Sequence, residues 1–176
     1  MAASSTREKW LTPFLWISVI AWSVALGGKL FEFVVVMSSW AANPPESLTL
    51  MPYGPKYPFN PGDFFQPLGL VALVGCLGSL ICGWYAPPRY KVLLWVPFAV
   101  LLLTALATPT MFWPIIRDLY RAGAGTAPLP EPALHALVSK WFWYDWIRTA
   151  AAVLAFACAV HALSTRHRAL NGPSDR

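Results

Sequence analysis

The sequence predicts an all-α fold, a four-transmembrane-helix antiparallel bundle with both termini cytoplasmic. Three observations carry that prediction. First, 57% of the 176 residues are hydrophobic and only 12% are charged, with a mean hydropathy of +0.50; a soluble domain averages about 25% charged residues. Second, the apolar residues fall in four continuous runs, each long enough for the roughly 20 residues that cross a hydrocarbon core. Continuous runs favour helices over the alternating strands of a barrel. Third, the basic residues sort by side. Arg7, Lys9, Arg89, Lys91, Arg166, Arg168 and Arg176 share one side of a four-span arrangement, and Lys56, Arg117, Arg121 and Lys140 the other. Short loops rich in Lys and Arg stay in the cytoplasm. Topology thus accounts for the net charge of +5, and no nucleic-acid partner is expected. The length fits one integral-membrane domain, 1–176.

The first helix is expected over 10–40. Its uncharged stretch, Trp10 to Gly28, is too long for a signal-peptide core and no small-residue cleavage site follows it cleanly, so it reads as a retained span. Ala21, Ala25 and Gly28 recur at helical spacing and form a small-residue packing face. The outer loop 41–64 carries Pro44, Pro45, Pro52, Pro55, Pro58 and Pro61 interleaved with Tyr53, Tyr57 and Phe59. Proline fixes φ and removes a donor, so a stiff, irregular segment is expected. It reads equally as an aromatic lid over the bundle mouth and as a loop lying in the membrane interface.

The second helix is expected over 65–86, with Gly75, Ser79 and Gly83 every four residues as a second packing face, ending at Pro87-Pro88. A short inner turn makes an antiparallel hairpin with the third helix, 91–116, which carries Pro97 and Pro109 as kink candidates. A Pro/Gly-rich outer connection, 117–139, leads into the fourth helix, 140–165, with Ala133 to Lys140 as a separate short helical lead.

Four charges lie in these spans: Lys29 and Glu32 near the end of the first, Asp145 and Arg148 near the start of the last. Charges at membrane depth are costly, face inward and pair, so they mark a candidate site by default. Lys29 and Glu32 are i, i+3; Trp141, Asp145 and Arg148 are i, i+4, i+7; each set shares a helix face. At roughly 1.5 Å rise per residue both sets reach the same outer level, and they sum to zero. One reading is a pair of salt bridges locking the first helix to the last. The other is a polar pocket holding an acid/base carboxylate and an anion-binding cation. Among the ten tryptophans, Trp40, Trp113, Trp141, Trp143 and Trp146 cluster near that level. They suit an interfacial belt or, for Trp40, Trp113 and Trp141, a wall for a flat aromatic ligand.

Cys76, Cys82 and Cys158 lie within the spans without a C-x-x-C pair, which argues against a vitamin K epoxide reductase-type thiol mechanism and for buried small hydrophobes. His135, His161 and His167 form no metal-binding spacing, and no Gly-rich phosphate loop is present.

The stretch "LVSKWFWYDWIRTAAAVLAF", Leu137 to Phe156, resembles the last span of the anthrone oxygenase-like family of small four-helix membrane proteins. The family pattern there is Trp, three residues, Asn, two residues, Arg, often then Thr; here it is Trp141, Asp145, Arg148, Thr149. "GGKLFEFVVVMSSWAANPPESL", Gly27 to Leu48, resembles the family's Gly-rich first helix and Pro-containing loop. Asp145 departs from the usual Asn. Unlike an amide it can ionise, which puts in doubt any role needing a neutral side chain there. The resemblance implies an oxygenase-like activity on a hydrophobic aromatic, anthrone-type substrate, with O2 as co-substrate and neither flavin nor metal. It implies Glu32 as base, Arg148 and Lys29 stabilising the anion, Asp145 orienting Arg148, and Trp113 and Trp141 walling the rings. The expected location is a bacterial inner (plasma) membrane, with the site on the extracytoplasmic side. Two other readings stay open: a non-enzymatic helper or small-molecule-binding protein with a charge lock, and a haem or quinone redox protein.

Overall fold

The computed structural model describes residues 2–53 and 56–171, with side chains over 7–53 and 56–167. The Arg168 side chain and Arg176 of the basic tail, and Pro55 of the outer loop, lie outside the described residues. The chain is 84% helical, with no strand among the described residues. The order is α1 (Ala2–Phe31), a π-helical segment (Glu32–Met37), α2 (Ser38–Trp40), a 3-10 helix (Glu46–Leu50), α3 (Pro61–Cys82), α4 (Pro88–Ala107), a second π-helical segment (Thr108–Phe112), α5 (Trp113–Gly123) and α6 (Glu131–Asn171).

Four continuous helical stretches, Arg7–Trp40, Pro61–Cys82, Pro88–Gly123 and Glu131–His167, are long and apolar enough to cross a membrane. Only 11% to 28% of their most apolar windows is buried within the protein. Apolar surface turned outward on this scale is consistent with a membrane protein.

Local chemistry explains where the helix ends differ from the sequence expectation. The second span begins at Pro61 rather than 65 because Asn60 caps it: its Oδ1 accepts from Gly62 N (2.7 Å). Asp63 reaches back to the Asn60 amide (2.8 Å). This is a reciprocal capping box with proline at the first helical position. The span stops at Cys82 rather than 86, and the turn runs over 83–87 into Pro88, again a proline starting a helix. The third span continues to Gly123 instead of 116. The connection after it shrinks to 124–130, because α6 starts at Glu131 and runs unbroken through the expected short lead. Glu131 in its first turn suits the positive helix end, and Gly125, at φ 69, takes the left-handed turn after α5. Pro97 lies inside regular α-helix, whereas Pro109 lies in the second π-helical segment. Proline removes an i→i−4 bond, and there the Thr108 and Thr110 hydroxyls donate to the Thr104 and Leu106 carbonyls (2.8 and 2.7 Å).

Contacts divide the chain into two compact units, residues 1–26, 67–102 and 151–176 in one, 27–66 and 103–150 in the other. The first packs on small residues. A Cβ on Gly75 would stand 2.5 Å from the Ser18 amide nitrogen, so α1 and α3 touch backbone to backbone there. Ala152, Ala155, Ala159 and Ala162 form a buried stripe on α6. The Ser18 hydroxyl lies 3.4 Å from the Cys76 thiol.

The second unit packs on large residues. Its core joins Met37 and Trp40 to Phe112, Ile115, Leu119, Leu134 and Trp141. The proline-rich loop is not wholly irregular: its 3-10 turn drives Leu48 into this core, followed by Met51, with Tyr53 packed against it. A Cβ on Gly123 would lie 2.7 Å from Leu48 Cβ, so the loop presses on the end of α5.

Candidate functional site

The four charges of the spans meet inside the second unit. The Lys29 ammonium, on the last turn of α1, bridges two carboxylates, 2.5 Å from Glu32 Oε2 and 2.8 Å from Asp145 Oδ1. The Arg148 guanidinium donates through Nη2 to the same Asp145 oxygen. Lys29 is 6% exposed and Asp145 1%. The Glu32 and Arg148 side chains are 13% and 16% exposed. Two cations and two anions in one buried cluster leave no net charge to desolvate, the condition under which such groups persist in an apolar medium.

Sequence spacing dictates this local arrangement. Lys29 and Glu32 are one helical turn apart at the junction where α1 becomes π-helical. A π-bulge breaks the helical phase and recurs at functional sites. On α6, Trp141, Asp145 and Thr149 step along one face and are all buried. Trp141, one turn before the acid, stands edge-on to Trp40 (6.2 Å, 73°) and to Phe112 (5.1 Å, 88°).

Of the residues singled out in the sequence, Lys29, Glu32, Asp145 and Arg148 come together, and Trp40 and Trp141 join in the adjoining core. Trp113, 55% exposed, is outside that core. Three residues were not marked as site residues by sequence alone. Phe112 lies under the Arg148 guanidinium, 4.1 Å from carbon Cζ to the ring centroid, a cation–π contact. Phe65 faces the Lys29 ammonium at 5.6 Å. Tyr53 is buried close enough to Glu32 to feel its charge. Burial and then the neighbouring Glu32 carboxylate push the Tyr53 phenol pKa well up, with Asp145 adding to this and Arg148 opposing it. Tyr53 therefore stays a protonated donor at any physiological pH. Its place in a loop dense with proline and aromatics was the available signal.

Two polar atoms beside the cluster have no hydrogen-bond partner among the described residues: Arg148 Nε and Thr149 Oγ1. Buried donors are nearly always paired, so unpaired ones next to charges have capacity left for a ligand. A groove of about 530 Å³ lies elsewhere in this unit, and none of the four charged residues lines it. His135 is outside the cluster, exposed and 3.7 Å from Glu131. Among the described residues no three of His, Cys, Asp and Glu gather as metal ligands would.

No family profile, curated protein or solved structure matches this chain. The likeness to the anthrone oxygenase-like family therefore rests on the residues quoted above.

Proposed function

We propose that this protein is a membrane-embedded oxygenase-like enzyme that oxidises a hydrophobic aromatic, anthrone-type substrate with O2. One observation carries the proposal. A carboxylate, Glu32, is held by an ammonium, with the buried Tyr53 phenol nearby, in a cluster whose guanidinium keeps an unpaired Nε.

The chemistry asks for a base and for anion stabilisation in a water-poor site. Glu32 removes a proton from the methylene carbon flanked by two rings. The carbanion, spread into the ring carbonyl, is stabilised by Lys29 and Arg148. It adds O2 at carbon, and the adduct takes a proton to give a hydroperoxide. Loss of the second methylene proton with cleavage of the O–O bond releases water and leaves the quinone carbonyl. The sum is one CH2 and one O2 consumed, one C=O and one H2O formed. In this scheme Asp145 orients Arg148, while Trp141 and Phe112 wall the rings. The basic residues Arg7, Lys9, Arg89, Lys91 and Arg166 favour the ends of the spans that carry them as cytoplasmic. They favour a site opening to the extracytoplasmic side of a bacterial inner membrane.

The second reading, a charge lock without catalysis, is favoured by how fully the four groups satisfy one another. The test is direct. An anthrone is supplied to the protein in lipid nanodiscs, and O2 uptake is followed beside quinone absorbance. The proposal expects a one-to-one ratio above the rate of protein-free nanodiscs. A rate equal to that background leaves the lock.

A further inference from the structure

Of the cations in the second unit that have no carboxylate partner among the described residues, two, Arg121 and Lys140, line one groove. The groove, about 530 Å³, is bounded by Asp118 and Arg121 of α5, Leu129 of the connection, and Ala133, Leu137 and Lys140 of α6. Its floor is apolar because Leu129 and Leu137 pack on the unit's core. Asp118 and Arg121 are i, i+3 on one helix, close enough to pair. No ion pair joins them, and Arg121 makes no side-chain hydrogen bond among the described residues. Among the described residues Lys140 has the Tyr144 ring, at 5.7 Å, and no ion pair.

Depth identifies the occupant. Trp113, Trp143 and Trp146 are exposed, and exposed tryptophans gather at the membrane–water boundary. Lys140 precedes Trp143 by three residues, about 4.5 Å along the helix axis. That is headgroup height. A phosphate there meets a guanidinium fork and an ammonium, while Asp118 is a free acceptor for hydroxyls.

We infer that this groove binds one anionic phospholipid with a hydroxylated headgroup, of the phosphatidylglycerol type. Arg121 and Lys140 take the phosphate, Asp118 accepts from the headgroup hydroxyls, and the apolar floor of Leu129, Ala133 and Leu137 lies against the carbons of the headgroup. The volume falls in the range of small-molecule sites, roughly 300–1,000 Å³, enough for a headgroup and its glycerol. The site does not depend on the oxygenase reading.

The test uses the full chain in detergent, mixed with equimolar phosphatidylglycerol, phosphatidic acid and phosphatidylcholine of identical acyl chains. Bound lipid is counted by native mass spectrometry. Wild type retains phosphatidylglycerol over the other two. Arg121→Gln and Lys140→Gln each lower its retention relative to phosphatidylcholine by about fivefold. Asp118→Asn lowers phosphatidylglycerol against phosphatidic acid by about threefold. All three positions are exposed, and a circular dichroism spectrum unchanged from wild type checks that each variant folds. Equal retention by wild type and both cation variants overturns the inference. So does retention of phosphatidylcholine equal to phosphatidylglycerol, or complete displacement of the lipid by millimolar inorganic phosphate.

Discussion

Replacing Lys29 by Met removes the one cation that touches both carboxylates, at 2.5 and 2.8 Å. Deleting one member of a buried ion pair costs about 3–5 kcal/mol, because its partner is left as an uncompensated charge. Here Asp145 keeps Arg148, so the loss falls mainly on Glu32, which is left with no cationic partner among the described residues. The lower end, about 3 kcal/mol, is the expected value. For a chain of this size each kcal/mol moves the midpoint by roughly 2–4 °C, so the shift is about 6–12 °C downward. The assay is tryptophan-fluorescence thermal unfolding in detergent at pH 7. A second variant separates lost charge balance from lost packing. Lys29→Met combined with Glu32→Leu leaves the neutral Asp145–Arg148 pair and apolar replacements, an exchange that is often neutral or stabilising. The double variant is therefore expected to recover most of the loss, with a coupling of at least about 2 kcal/mol, within the range seen for neighbours. A Lys29→Met midpoint within 2 °C of wild type refutes the reasoning. A double variant as unstable as the sum of its parts refutes it equally.

Two further predictions concern the loop and the wall. Tyr53 has a folded pKa raised above its ordinary value of 10.0. Its contribution is fully present below pH 10 and is lost as pH rises, when the unfolded chain ionises first. Wild type should lose stability above pH 10 more steeply than Tyr53→Phe; parallel pH profiles of the two midpoints would remove Tyr53 from the cluster. Trp141→Ala should cost about 3–5 kcal/mol as a core truncation, whereas Trp113→Ala, exposed on the surface, should stay within about 0.5 kcal/mol; equal midpoints for the two variants contradict their placement.

The four spans were legible because lipid imposes a single crude requirement, some twenty apolar residues in a row, and the chain meets it four times. The charged cluster was legible for the same reason. Lys29, Glu32, Asp145 and Arg148 break otherwise apolar runs, and spacings of three, four and seven fix their faces. The helix ends were less so. Asn60 and Asp63 spell a capping box, but the prolines around them read as loop. The extension of α6 back to Glu131 depends on Leu134 packing into a core formed by distant residues. Tyr53 was legible only as one ring of a possible lid and Phe112 not at all, because their role depends on where a loop folds back and where a helix turns π-helical at Pro109. The alanine stripe of α6 carries no charge or motif to announce it, and its meaning appears only as burial.

The most direct measurement compares turnover with folding in Glu32→Gln and Arg148→Gln reconstituted in nanodiscs. As a working chamber, the cluster predicts that Glu32→Gln stays folded, with a midpoint lowered by about 6–12 °C because one cation is left uncompensated, while anthrone-dependent O2 uptake falls at least about a hundredfold, the usual worth of a general base. Arg148→Gln should lose both rate and some stability. Uptake undiminished in Glu32→Gln, with the midpoint alone reduced, would contradict the account and leave the four charges as a structural lock.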